Sequence, residues 1–436
     1  MKILLVNVHS YWNAGDNALT QEALRQLAEE FPQASFTLAM NDPTSHEGRG
    51  KAVGSFTAWV KPTVDRDSAG WRWRAFPGLI LHSVLALAGY RLRGRPWYAF
   101  TPPEQRNLLE AYLEADMVVS TAGNFLYTSG WLGLPFLLAL FSMFFGWLAG
   151  KPLYTLPQTL GPITRKRELL LTKYVLSRMR IALVRDPISA EVWQKWQVQG
   201  PQWDLYPDLA FAFAENQGQA EAKAWLAEFG VRGAPHEACL GVTLINWGAQ
   251  DQTFSLQSVY EDAIEAAIRD FLQSHGSKVL LFAQVHGPTS AQDDLIPARR
   301  VLARLADLRD QVVLVDRWVP PYVLKAAYGR MDLFLGTRLH SNIFALTEGV
   351  PVVAIGYQYK TRGIMRMLGL EPWVLDIGEV HREALVRLLH QAWVERDSTR
   401  VQMREVIPQI SRQAATAGAL IASDFFSLGW KKGGDE

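Results

Sequence analysis

Arg338 and His340 follow the apolar run Met331 to Leu335, and Lys360 and Arg362 follow the next such run, Val350 to Ile355. Both runs read as buried strands that open into helices. Thr337 is placed to cap the first helix, which puts Arg338, Leu339 and His340 in its first turn and Leu339, Ile343, Phe344 and Leu346 on its buried stripe. Cations are unfavourable there, because the unpaired N–H groups and the macrodipole already present positive charge. A bound anion removes the conflict, since phosphate or carboxylate at a helix N-terminus gains charge-assisted bonds from a guanidinium. The same field disfavours a protonated His340 until the anion arrives, which makes this residue a candidate proton donor.

Other chemistry-bearing residues also sit just past strand-like runs. Asn13, Gly15, Asp16 and Asn17 follow the first; Asn124, Arg185, Trp247 and His286 follow later ones. Singly, each has an ordinary structural role, such as Asp16 capping a helix. Jointly, they line the carboxyl ends of strands, where open α/β sheets bind ligands. Trp12 and Trp247 lie beside two of these turns. His286 and the pair Asp293-Asp294 lack any HxxxH or HxE frame, so no metal is expected.

The elements that must position these residues alternate. KILLVNV (2–8), DMVVST, PLYTLP and IALVRD read as strands in the first half; CLGVTLIN, KVLLFAQV, QVVLVD, MDLFLG and VPVVAIG do so in the second. Helical patterns separate them, among them NAGDNALTQEALRQLAEEF with Leu19, Ala23, Leu27 and Phe31 on one stripe. This is the pattern of parallel sheets built from β-α-β units. The fold class expected is α/β, with two Rossmann-like domains whose parallel sheets face a cleft. A polar, glycine- and proline-broken linker at 215–238 separates an N-terminal domain (1–214) from a C-terminal one (239–436) ending in helices.

A chain of 436 residues with 49% hydrophobic content can bury two cores. Its formal net charge of +1, from 44 basic and 43 acidic residues, excludes a general affinity for nucleic acid, so an anion site must be local. The single cysteine, Cys239, excludes an internal disulfide and fits a reducing compartment. The start MKILLVNVHS reads as a strand rather than a leader, so a cytoplasmic location is expected, at or near the inner face of the membrane. Two apolar segments carry the membrane expectation. Residues 131–150 hold twenty positions without a charge and read either as a span or as a buried crossover helix. Residues 76–100 combine apolar positions with Arg91, Arg93, Arg95, Trp97 and Tyr98, a mixture suited to the interface of an anionic bilayer.

NAGDNALTQEAL, the glycine turn after VVST, QTLGPITRKRE, VRDPIS, YPDLAF and above all TRLHSNIFALTEGVPVVAIGYQYKTRGIMRMLGL resemble the polysaccharide pyruvyl transferase family. The Arg-Leu-His triplet, the Gly-Val-Pro strand entry and the Tyr-x-x-Lys sequence carry the resemblance most specifically. It implies a fold similar to the GT-B glycosyltransferases and transfer of pyruvate from phosphoenolpyruvate to two sugar hydroxyls as a ketal, with no cofactor. In this chain the implied donor contacts are Arg185, Arg338, Leu339, Lys360 and Arg362, and His340 is the general acid. The N-terminal domain would then be the acceptor side and the C-terminal one the phosphoenolpyruvate side; Asn13, Asp16, Asn17 and Asn124 would meet the acceptor, with Asp16 as a candidate base, and Trp247 and His286 would complete the binding surface. The glycine turn departs from the family pattern, reading AGN where three glycines are usual. The apolar segments suggest a lipid-linked saccharide as acceptor. Two other readings remain open on the residues alone: a glycosyltransferase using a nucleotide sugar, with Glu348 as its ribose partner, and a non-catalytic glycan-binding or membrane scaffold protein.

Overall fold

The structure is a computed structural model that describes residues 1–61, 75–128, 133–231, 238–251, 253–275 and 278–429. Two sheets organise it, and every pairing within them is parallel. The first contains β1 (Lys2–Val8), β2 (Ser35–Met40), β3 (Lys51–Gly54), β4 (Met117–Ser120), β5 (Gly123–Leu126), β6 (Leu153–Leu160), β7 (Ile181–Val184) and β8 (Gln202–Leu205). Its order is β3-β2-β1-β4-β6-β7-β8, with β5 beside β6. The second contains β9 (Cys239–Thr243), β10 (Lys278–Phe282), β11 (Val312–Val315), β12 (Leu333–Gly336), β13 (Val352–Gly356) and β14 (Val374–Asp376), in the order β11-β10-β9-β12-β13-β14. The central strands are buried along their whole length, as continuous apolar runs require when helices cover both faces.

The chain divides into two compact units. One comprises Met1–Tyr11, Leu19–Leu209 and Gln413–Glu436; the other comprises Trp12–Ala18 and Ala210–Arg412. This differs from a division into 1–214 and 239–436 in three places. The stretch expected as a linker, 215–238, belongs to the second unit, where the helix Gln219–Glu228 buries Ala222, Trp225 and Leu226. The C-terminal helix Ala417–Ser427 belongs to the first unit, where Phe425 and Phe426 pack on Phe31 and Asp424 is held by Arg180 and Tyr154. The segment Trp12–Ala18 belongs to the second unit because its backbone pairs there. Asn13 forms an antiparallel bridge with Val285, Ala14 N–H donates to the Gln284 carbonyl at 3.1 Å, and His286 N–H donates to the Trp12 carbonyl at 2.9 Å.

The charge-free stretch 131–150 forms a buried crossover helix, Leu134–Leu148, with Phe136, Leu138, Leu140, Met143 and Phe145 in the core. Its 15 residues reach about 22 Å, short of the roughly 30 Å of a bilayer's hydrocarbon core. Its burial corrects the expectation of a span or of membrane contact along its length; residues 129–132, which precede it, lie outside the described residues.

Arg185 ends β7 as a structural residue. Its side chain is 1% exposed, with Nη1 donating to Asp208 at 2.9 Å and Nε donating to Thr159 Oγ1 at 2.9 Å. The neighbouring Asp186 caps the helix Pro187–Trp196 by accepting from Ser189 N–H. The Asp208 carboxylate balances the guanidinium inside the first unit, which corrects the expectation of a cation presented to a ligand. Replacing Asp208 with alanine strands a buried charge, and urea denaturation is expected to show a loss of about 3–5 kcal/mol.

Candidate functional site

In the second sheet, neighbouring strands β10, β9, β12 and β13 run in parallel register, for example Leu281↔Val242, Leu335↔Val242 and Leu335↔Val353. Their carboxyl ends therefore lie side by side and release His286, Trp247, Arg338 with His340, and Lys360 in that spatial order. The register explains why the basic residues follow two consecutive strands: they share one edge of one sheet.

Arg338 is the N-cap of the helix Leu339–Thr347, so that helix begins one residue later than a Thr337 cap would place it. Thr337 is buried, with its hydroxyl 2.8 Å from the Tyr260 hydroxyl. The Arg338 guanidinium is fixed on one side by Asp294, with Nη2 at 2.6 Å and Nε at 3.1 Å from Oδ1, and Nη2 also donates to the Gln292 carbonyl at 3.1 Å. Asp294 is wholly buried and also accepts from Val285 N–H at 3.0 Å. Burial pushes its carboxyl up to about 6, against the pull of Arg338. For Arg338 itself, burial opposes the charge, but Asp294 and Tyr357 outweigh it and hold the proton more firmly than usual.

Tyr357 lies against Arg338, meets the Trp247 ring in a tilted contact at 4.6 Å and carries the Lys360 ammonium over its ring at 5.2 Å. Burial pushes its phenol up, but Lys360 and Arg338 win and bring it below the usual tyrosine range. Tyr357 and Asp294 were not singled out as ligand residues from the sequence. The signal for Tyr357 was the Tyr-x-x-Lys sequence, in which only the lysine was taken. Asp294 lies 44 residues from its partner and gave no local signal.

His340 meets the N-terminal segment within this unit. A Cβ built on Gly15 would lie 2.1 Å from His340 Nδ1, so only glycine admits the ring. Beside it, Asn13 rather than Asp16 caps the first helix, Ala14–Glu30: its Oδ1 accepts from Gly15 N–H at 3.0 Å, and its Nδ2 donates to Asp16 Oδ2 at 2.8 Å. Asn13, Asp16 and Asn17, expected in the acceptor domain from chain order, thus share a unit with His340. Burial lowers the His286 pKa, favouring a neutral ring. Leu339 is buried in the helix stripe.

Two expected contacts are committed elsewhere. Arg362 donates to Asp376 at 2.9 Å and faces Glu371 at 3.5 Å, so its charge is balanced away from the Arg338 cluster. Glu348 is the C-cap of the His340 helix, accepts from Gln219 at 2.9 Å and pairs with Lys325 at 3.5 Å. Among the described residues, no three His, Cys, Asp or Glu side chains gather to hold a metal.

The first unit has its own pocket of about 100 Å³, lined by Asn7, His9, Asn41, Asn124, Phe125 and Tyr127 among others. The Asn41 amide lies 3.1 Å from His9 Nδ1, and the His9 ring is 6.1 Å from Phe125. His9 and Asn41 follow β1 and β2 and were not identified from the sequence; Asn124 was.

The residue pattern of the polysaccharide pyruvyl transferase family matches residues 13–359 of this chain. The chain belongs to that family. It is 24% identical over 402 residues to the amylovoran biosynthesis protein AmsJ of Erwinia amylovora, with 86% of this chain and 88% of that protein covered. Among solved structures it is similar to sucrose-phosphate synthase from Thermosynechococcus elongatus (TM-score 0.57, 14% identity, 98% and 99% of the two chains covered). It is also similar to a putative UDP-N-acetylglucosamine 2-epimerase from Listeria monocytogenes (TM-score 0.58, 10% identity, 100% and 99% covered). At these identities the likeness concerns the fold, a GT-B-like pair of parallel α/β sheets.

Two predictions follow from this geometry. Gly15→Ala should displace the His340 ring, read as a shifted imidazole NMR resonance, and, because the new methyl would also lie 2.7 Å from His340 Cβ, which no rotamer change can move away, should lower stability in urea denaturation by about 1–3 kcal/mol. Asp294 keeps its proton more tightly folded than unfolded, so its ionised form costs stability above about pH 6, and that cost fades toward the ordinary value of 3.8. Protonating Asp294 also frees the Arg338 charge. Titration with sulfate, which stays dianionic, should show affinity rising as pH falls through about 6, and Asp294→Asn should flatten that step.

Proposed function

We propose that this chain transfers pyruvate from phosphoenolpyruvate to two hydroxyls of a saccharide acceptor, forming a cyclic ketal during polysaccharide biosynthesis. The observation that carries the reading is the gathering of Arg338, Lys360, His340, Asn13 and Asp16 within one unit, at the adjoining ends of β12 and β13 and the start of the first helix. A donor with a phosphate and a carboxylate needs fixed cations, and Arg338 is held in place by Asp294 before any ligand arrives. Of Arg338, Lys360 and Asp294, the sum is one positive charge with Asp294 ionised and two with it protonated. The phosphate and carboxylate of the donor would engage Arg338, Lys360 and the N–H groups opening the helices Leu339–Thr347 and Tyr359–Met367.

His340 protonates the vinyl methylene carbon, leaving C2 with oxocarbenium character. One acceptor hydroxyl adds to C2 and gives its proton to Asp16. The C–O bond to phosphate then breaks, with Arg338 and Lys360 stabilising the departing charge. The proton held by Asp16 leaves with the phosphate; a second hydroxyl then adds to C2, closing the ketal and returning its proton to His340.

The test is incubation with phosphoenolpyruvate and a panel of galactose, mannose and N-acetylmannosamine glycosides, following saccharide mass and inorganic phosphate together. The expected result is a pyruvate ketal and one phosphate per turnover; nucleotide release from a sugar nucleotide instead would overturn the proposal. His340→Gln should lower kcat by roughly a hundred- to ten-thousand-fold, and Arg338→Ala should raise the donor KM as well.

A further inference from the structure

The helix Ala75–Arg93 is the one element, among the described residues, long and apolar enough to cross a membrane, yet only 22% of its apolar window is buried. Its buried stripe, Leu79, Ser83, Ala86 and Gly89, packs into the core of the first unit. The opposite face is also apolar: Leu81 is 55% exposed and Val84 56%, with Ile80 beside them and Leu92 at 84%. A helix facing water on that side should be polar there. The buried stripe holds the helix against the domain, so it lies along the surface rather than standing as a span.

The chain after it continues the same surface. The turn at 95–97 folds back so closely that a Cβ on Gly89 would lie 2.6 Å from Trp97 N. Trp97 is 55% exposed, and Phe100 is 94% exposed while holding φ +58, a conformation that costs free energy for a residue with a side chain. A second patch adjoins at the ends of the helices. Arg91 donates to the Leu148 carbonyl, and Trp147, one residue before, carries Arg178 over its ring at 5.1 Å and meets Tyr174 at 6.4 Å. Tyr174 belongs to the helix Lys166–Leu176, which exposes Leu170 and Leu171 as well.

Charge decides what covers this face. Residues 75–100 contain no Asp or Glu but Arg91, Arg93 and Arg95, all exposed; the acids that face them from the packed helix Pro103–Glu114 are Glu110 and Glu114, which lie on the half-buried Tyr98 side rather than among the exposed apolar side chains. The Lys166–Leu176 helix exposes Lys166 and Arg167, and its one acid, Glu168, is buried against Arg165 and Thr128. In a chain of net charge +1, this local excess of cations among apolar side chains matches an anionic lipid surface. A second copy of the same face would set these cations against one another.

We infer that the exposed face of Ala75–Arg93, the 95–100 turn and the exposed side of Lys166–Leu176 dock the protein on an anionic bilayer as a peripheral, interfacial surface. This goes beyond the ketal-transfer reading and is independent of it. The test is flotation of the full chain with vesicles of phosphatidylcholine alone or mixed with phosphatidylglycerol. Binding to the mixed vesicles, weakened by salt and absent with phosphatidylcholine, is expected. The variant Arg93→Gln/Arg95→Gln/Lys166→Gln should weaken the partition coefficient by on the order of a hundredfold. Leu81→Ser/Val84→Ser, at exposed positions that leave the core intact, should abolish flotation while urea unfolding stays unchanged. A chain that remains with the soluble fraction in both mixtures overturns the inference. So does concentration-dependent self-association without lipid that the same variants abolish, since the face would then join copies of the chain.

Discussion

The site depends on one buried ion pair. Arg338 would be unfavourable at a helix N-terminus on its own, and Asp294 would be costly as a lone buried carboxylate. Together they hold the guanidinium at a fixed angle with one edge occupied. Tyr357, and through it Lys360 and Trp247, take their places from that fixed edge. An arginine without its carboxylate could swing on its flexible stem; pinned, it has already lost that freedom before a ligand binds.

The histidine is set by a different kind of constraint, exclusion rather than attraction. The backbone of Gly15 lies where any side chain would overlap the imidazole. That backbone is held by strand-like hydrogen bonds from Ala14 to Gln284 and from His286 to Trp12. The site thus combines an electrostatic anchor at Arg338 with a steric one at His340, and the two residues are separated by a single buried leucine.

Much of this was legible in the sequence where burial acts on both faces of a strand. All nine runs picked out by continuous hydrophobicity are strands, while β2, β3, β5, β8 and β14 were not picked out. β8, with alternating exposed and half-buried positions, and the three-residue β14 sit at sheet edges and lack a continuous apolar signature. The candidate site was readable where residues broke a local rule, as Arg338, His340 and Lys360 do. Arg185 looks the same in sequence, a basic residue ending a strand, but Asp208, 23 residues on, encloses it. Partners that distant in the chain leave no local periodicity, so Asp208 gave no sign in the sequence, and Asp294, noticed there only beside His286, could not be tied to Arg338 until the fold placed them. Chain order also misled for Asn13, Asp16 and Asn17, because a segment early in the sequence packs with residues near 285 and 340.

The return of the C-terminal helix to the first unit has a bearing on synthesis at the ribosome. Phe31, translated early, meets its aromatic partners Phe425 and Phe426 only after the long stretch of chain between them has been made. At roughly 5–20 residues per second, that apolar surface stays uncovered for tens of seconds. The nascent chain therefore has to remain unfinished around Phe31 until residues 425 and 426 emerge, and a chain cut short before them would leave its first-made unit open.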